Sequence, residues 1–150
     1  MLRLCLPLLL FAAACQNTVP TTESTPDTTA SAAVPAAELR GTRWVLHAVA
    51  GQAIAPTDPK ELYLQINASE LQVEGQASCN RFRGAVELPA ANQLRFGPLM
   101  STRMACPDMA LETGFVGALN TARSYQISGD TLRLYGEQAA APLAELHRGR

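Results

Sequence analysis

Short stretches in which apolar and polar residues alternate, cut at close intervals by turn residues, fill most of the chain from about residue 38 onward. Successive side chains of a strand point to opposite faces, so this pattern restricts the segment to half-buried strands. Leu62-Tyr63-Leu64-Gln65-Ile66 alternates cleanly and predicts Leu62, Leu64 and Ile66 inward. Asn67-Ala68-Ser69-Glu70 reads as a turn, after which Leu71-Gln72-Val73-Glu74 resumes the same period, giving a hairpin. The earlier run Arg40 to Val49 predicts another strand, with Trp44, Leu46 and Ala48 on one face and His47 exposed on the other. Trp44, the sole tryptophan, suits the core because an indole buries so much area. Gly51 and the Pro56–Pro59 segment predict a loop. Gly75, Gly84 and Gly97 are expected as bulges or tight bends of a curved sheet. Phe82 with Ala85-Val86-Glu87-Leu88, then Leu94-Arg95-Phe96, supply two more strands around a Pro89–Gln93 turn.

The period changes once. After Pro107, which suits a first helical turn, Leu111, Phe115, Ala118, Leu119 and Ala122 recur at three- and four-residue spacing and form one apolar stripe. Asp108 and Glu112 put negative charge near the positive end of that helix. Strands return at Tyr125-Gln126-Ile127, Thr131–Tyr135 and Leu143–Leu146, with His147 near a frayed C-terminus. Short strands at about 8–12-residue spacing with a single helix predict a strongly curved antiparallel sheet or a small barrel, packed with one α-helix.

What precedes the domain has a different character. Arg3, the apolar Leu4 to Phe11 and the small residues Ala12 to Ala14 resemble a signal peptide over residues 1–14 that ends on a lipobox-like Cys15. The apolar run is far shorter than the ~20 residues needed to cross a bilayer. Lipidation of Cys15 would attach two or three acyl chains, each buried methylene contributing about 0.8 kcal/mol, enough for stable membrane anchoring. Ala12 stands where a lipobox most often has Leu, so ordinary cleavage after Ala14 is the alternative. Gln16, a residue other than Asp, points to the outer membrane if the source is Gram-negative. The Thr/Ser/Pro/Ala-rich tether over residues 15–37 has almost nothing large to bury and is expected to stay disordered.

Composition excludes several function classes. The net charge is −1, and the 12 basic residues are scattered with only Lys60 a lysine, which makes no stripe for nucleic acid. Serine-hydrolase elbows, phosphate loops and paired-carboxylate signatures are absent from the sequence, so no catalytic residue and no cofactor is expected.

Several motifs together resemble one family. Gly41-Thr42-Arg43-Trp44, Gly75, Ser78-Cys79-Asn80-Arg81-Phe82 with Gly84, Ser101-Thr102-Arg103-Met104-Ala105-Cys106-Pro107, the Met109, Glu112, Phe115, Leu119 set and Gly129-Asp130-Thr131-Leu132-Arg133-Leu134 are similar to the META, or HslJ-like, domain over residues 38–150. The family usually has Gly directly before the first cysteine, where this chain has Ser78, a residue that tolerates positive φ poorly. The resemblance implies an α+β fold, a strongly curved antiparallel sheet, cracked-barrel-like, packed with one α-helix, together with envelope localisation, often as a lipoprotein, and a link to stress tolerance. It supplies no enzymatic reaction.

The resemblance also implies a disulfide between Cys79 and Cys106, and an exported domain makes that the physical default as well. Closing a loop of 26 intervening residues contributes ~3–4 kcal/mol in the chain-entropy model. Two alternatives stand beside it. Cys79, Cys106, His47 and His147 match zinc in number, but no pair has close ligand spacing, and no metal site is expected. A Cys79 nucleophile would need a free thiolate and a base. The expected protein is thus a non-catalytic, monomeric envelope lipoprotein that contacts an envelope protein, lipid or glycan through Asn80, Arg81, Arg83 and Arg103. The alternative is a binder of a small molecule or lipid inside the curved sheet, for which a pocket lined by Trp44 and Phe96 would be the sign.

Overall fold

The computed structural model describes residues 38–55, 61–105, 109–137 and 140–150. The expected leader, the anchor Cys15, the tether over residues 15–37, the Pro56–Pro59 loop, and Cys106 with Pro107 and Asp108 lie outside the described residues.

The strands run β1 (Arg43–Val49), β2 (Gln52–Ala53), β3 (Tyr63–Ile66), β4 (Gln72–Ala77), β5 (Asn80–Glu87), β6 (Arg95–Phe96), β7 (Met100–Ser101), β8 (Ser124–Ser128), β9 (Thr131–Tyr135) and β10 (Ala144–Arg148), with helix α1 (Met109–Thr121) between β7 and β8. They pair in the order β6-β5-β4-β3-β1-β10-β9-β8, with β2 added to β1 and β7 to β5. All of these named strands pair antiparallel.

The two ends of that order then meet. Gln93, just before β6, bridges Ser124 of β8. Leu94 N donates to Arg123 O at 3.1 Å and Tyr125 N to Asn92 O at 2.9 Å. Those few bonds bend the sheet into a nearly closed barrel, satisfying backbone groups that an open edge would leave unpaired.

The predicted faces largely hold. Leu62, Leu64, Ile66 and Val73 are buried, and Asn67 Oδ1 closes the turn between β3 and β4 by accepting from Ser69 N at 2.8 Å and Glu70 N at 3.0 Å. Trp44 is fully buried, and its indole N–H donates to Leu39 O at 3.1 Å, so the one polar atom of that side chain is satisfied. On α1 the buried residues are Phe115, Ala118 and Leu119, with Leu111 packed against the core.

The helix contacts β1, β4, β6 and β9, strands from both halves of the sheet, and therefore lies on the concave side. Phe115 meets Phe82 of β5 edge to face, ring centroids 6.0 Å apart. Arg123 caps the helix end by donating from Nη1 to Asn120 O at 3.0 Å and Ala122 O at 2.7 Å.

Three expectations are corrected. The face of β1 switches midway, because the register with β10 slips between Leu46 and Ala48. His47 is the extra residue of a β-bulge; beyond it Val49, not Ala48, packs on the core.

Gly75 and Gly84 are not bulges but lie in the unbroken β4–β5 register. A Cβ at Gly75 would run into Tyr63 O and the ring of its cross-strand partner Phe82, so that strand needs glycine for close approach. His147 lies not at a frayed end but within β10, which is paired to β1 and β9.

Candidate functional site

Asn80, Arg81 and Arg83, expected to make contacts, open strand β5. Alternation decides what each residue does there. Asn80 and Phe82 face inward and are buried, while Arg81 and Arg83 point out and are exposed.

Asn80 is the one buried polar residue among the described residues, at 1% exposure, so it is not a contact residue. Its Nδ2 donates to Met104 O at 3.1 Å and to Glu112 Oε2 at 2.8 Å. Its Oδ1 accepts from Thr102 Oγ1 at 3.0 Å and from Met104 N at 2.8 Å. A buried amide is tolerated only with its hydrogen-bonding capacity used, and here that capacity ties the segment after β7 and the first turn of α1 to the start of β5.

Cys79 stands beside this knot. It is disulfide-bonded, its expected partner Cys106 lies outside the described residues, and its Sγ lies 3.9 Å from Met104 O. A sulfur held in a disulfide offers neither a thiolate nucleophile nor a metal ligand. Ser78, before it, has φ 56° in the tight turn between β4 and β5. That is the left-handed conformation expected where the family has glycine.

The outward residues form an open groove of about 610 Å³ across β3, β4, β5 and β7, whose lining includes Tyr63, Glu74, Arg81, Arg83, Met100 and Thr102. The register builds it: Glu74 pairs with Arg83 and Arg83 with Met100, so a carboxylate, a guanidinium and a thioether stand in a row across three strands. Thr102 N donates to Arg81 O at 3.0 Å and Arg81 N to Thr102 Oγ1 at 3.1 Å, which fixes the outer wall. Met100 is 64% exposed, the most exposed large apolar side chain among the described residues. Arg103 is exposed but does not line this groove.

The barrel interior is filled. Trp44, Leu64, Ile66, Leu94, Phe115, Leu119, Leu132, Leu134 and Leu146 are all fully buried there. Trp44 and Phe96, expected to line a pocket if the interior held a ligand, are instead members of this packed cluster.

A second cluster of polar side chains escaped the sequence reading. On the outer face, the His47 and His147 rings stack with centroids 4.3 Å apart and planes 15° from parallel. His147 Nε2 lies 3.3 Å from Glu145 Oε1, and Arg133 Nε donates to Glu145 Oε2 at 2.8 Å. Burial alone would raise the Glu145 carboxyl, but hydrogen bonds from His147 and Arg133 and their nearby positive charge outweigh it and hold it below its ordinary value of 4.5. The signal that was available is Glu145-Leu146-His147, whose period places both outer residues on one face. Pairing with His47 depends on a contact 100 positions away and on a bulge.

Comparison with known proteins agrees with the architecture. An NMR structure of a protein from Burkholderia xenovorans is 24% identical, with a TM-score of 0.55 over 74% of this chain and 83% of that one. A second NMR structure of a protein is 22% identical, with a TM-score of 0.56 over 73% of this chain and 89% of that one. At such identities the likeness concerns the fold alone. No curated protein matches the chain. The META domain model matches residues 37–147, from before β1 to His147 of β10. With that match beside a nearly closed barrel and one helix among the described residues, the chain belongs to the META domain family.

Proposed function

We propose that this META domain protein is a non-catalytic lipoprotein of the bacterial cell envelope. It works by binding an envelope protein, in stress tolerance or envelope maintenance. The observation that carries the reading is the filled interior. A barrel occupied by its own side chains has its surface left for recognition, and the outer groove offers the chemistry of a contact site there. Arg81 and Arg83 supply fork-shaped donors matched to carboxylates, and exposed Met100 supplies an adaptable apolar surface. A partner segment carrying carboxylates beside an apolar side chain fits that set.

The lipobox-like leader and Cys15 support lipid anchoring, and Gln16 supports the periplasmic face of the outer membrane in a Gram-negative source. A monomeric domain on such an anchor searches for partners at high local concentration near the membrane.

The test is affinity capture of the full chain from membranes after crosslinking in intact cells. One reproducible protein adduct is expected, lost in the Arg81→Glu, Arg83→Glu double variant. A co-purifying lipid with no protein adduct would overturn the reading. Cys15→Ser is expected to release the chain from membranes, and unchanged membrane association would refute the anchor.

A further inference from the structure

Away from the groove, the outer face of β1 and β10 brings together two imidazoles and a carboxylate whose ligand atoms, one from each of His47, Glu145 and His147, all lie within 4.8 Å of one another. We propose that these three side chains form a binding site for a late first-row divalent cation of the Zn²⁺ or Cu²⁺ kind.

The donor set comes first. Two imidazole nitrogens with one carboxylate oxygen suit borderline cations and not Mg²⁺ or Ca²⁺, which take oxygen ligands. Two histidines and one glutamate leave a fourth position for water or a partner's donor, as open three-ligand zinc sites do.

The geometry comes second. Neighbouring ligands around a tetrahedral zinc at its usual bond lengths stand about 3.3 Å apart, and His147 Nε2 and Glu145 Oε1 are already 3.3 Å apart. The remaining ligand, on exposed His47, has to close at most 4.8 Å to that spacing. Rotation about its side-chain torsions would have to supply this movement and unstack the two rings, since near-parallel ring planes cannot both aim a nitrogen lone pair at one ion.

The supporting structure comes third. Glu145 and His147 are two apart on a strand held on both sides, by β1 and by β9. Arg133, the cross-strand partner of Glu145, donates to Oε2 and so leaves Oε1 turned toward the imidazole. The bulge in β1 sets His47 against His147 rather than leaving it in simple alternation. Its charge makes Arg133 a moderating neighbour as well, opposing the cation while orienting its ligand.

The sequence contains two histidines, and both are in this cluster, which makes the test clean. The purified, untagged full chain is titrated with Zn²⁺ alone by calorimetry, and the histidine ring resonances are followed by NMR. Saturable one-to-one binding is expected, with both rings perturbed together and no effect of Mg²⁺. His47→Gln, His147→Gln and Glu145→Gln each lower the Zn²⁺ affinity at least tenfold, and the two histidine variants leave the thermal unfolding midpoint close to wild type. The proposal is overturned if the full chain shows no saturable Zn²⁺ binding, if the ring resonances do not move, or if the histidine variants bind as tightly as the wild type.

Discussion

Replacing Asn80 tests whether one buried amide fastens the helix and the segment after β7 to the sheet. Among the described residues, Asn80→Ala removes four hydrogen bonds at 2.8–3.1 Å, one of them to the Glu112 carboxylate. Neutral bonds contribute about 1 kcal/mol net and a charge-assisted one about 2, so the gross loss is about 5 kcal/mol. Thr102 and Met104 are exposed and Glu112 half-buried, so water replaces part of what is lost. A net destabilisation of about 3 kcal/mol is expected, or a fall of roughly 12 °C in midpoint for a domain of this size.

Asn80→Asp keeps the shape but sets a carboxylate oxygen where Nδ2 stood, 2.8 Å from Glu112 Oε2. It should cost more than Asn80→Ala at neutral pH, and the excess should shrink on acidification, as one of the two carboxylates takes a proton. Urea unfolding followed by Trp44 fluorescence measures both, because the sole tryptophan is fully buried. If Asn80→Ala costs under about 1 kcal/mol and Asp costs no more than Ala, the knot is not what joins these elements.

Three further predictions use the same assay. Gly75→Ala drives a methyl into Tyr63 O and the Phe82 ring and is expected to cost about 3 kcal/mol or prevent folding; a neutral result would mean the ring is not held over that strand. Ser78→Gly relieves the left-handed backbone at φ 56° and should stabilise by about 0.5 kcal/mol, the relief being partly offset by the freer unfolded chain; a loss of stability would refute the strain. The Glu145 carboxyl is held below its ordinary value of 4.5, so its contribution is full above that pH and is lost as pH falls through the lower folded value. The stability gap between wild type and Glu145→Gln should therefore close on acidification below 4.5, and a gap that widens there would reverse the assigned sign.

Local period made part of this fold legible in the sequence. The β3–β4 hairpin has its turn bonds inside four residues, and its alternation placed Leu62, Leu64 and Ile66 correctly. The α1 stripe was equally visible because a helix repeats its buried face within a few residues. The left-handed residue at Ser78 could be anticipated from the glycine expected there. What stayed hidden depends on distant partners. Nothing near Gly75 announces the Phe82 ring, and nothing near Asn80 announces Glu112, 32 positions away. Judged by type alone, Asn80 joined Arg81 and Arg83 as a surface polar residue, though strand alternation turns it inward. The bulge at His47 is set by register against β10 at the other end of the domain, so neither the face switch to Val49 nor the meeting with His147 was readable.

On the proposed reading, recognition belongs to the outer groove and not to the barrel interior. Site-specific photocrosslinking in intact cells tests it most directly, with the reactive side chain placed at Arg83 in the groove and, as a control, at exposed Gln126 on β8. A discrete protein adduct from position 83 and none from position 126 is the predicted result. No adduct from position 83, or the same adducts from both positions, would contradict it.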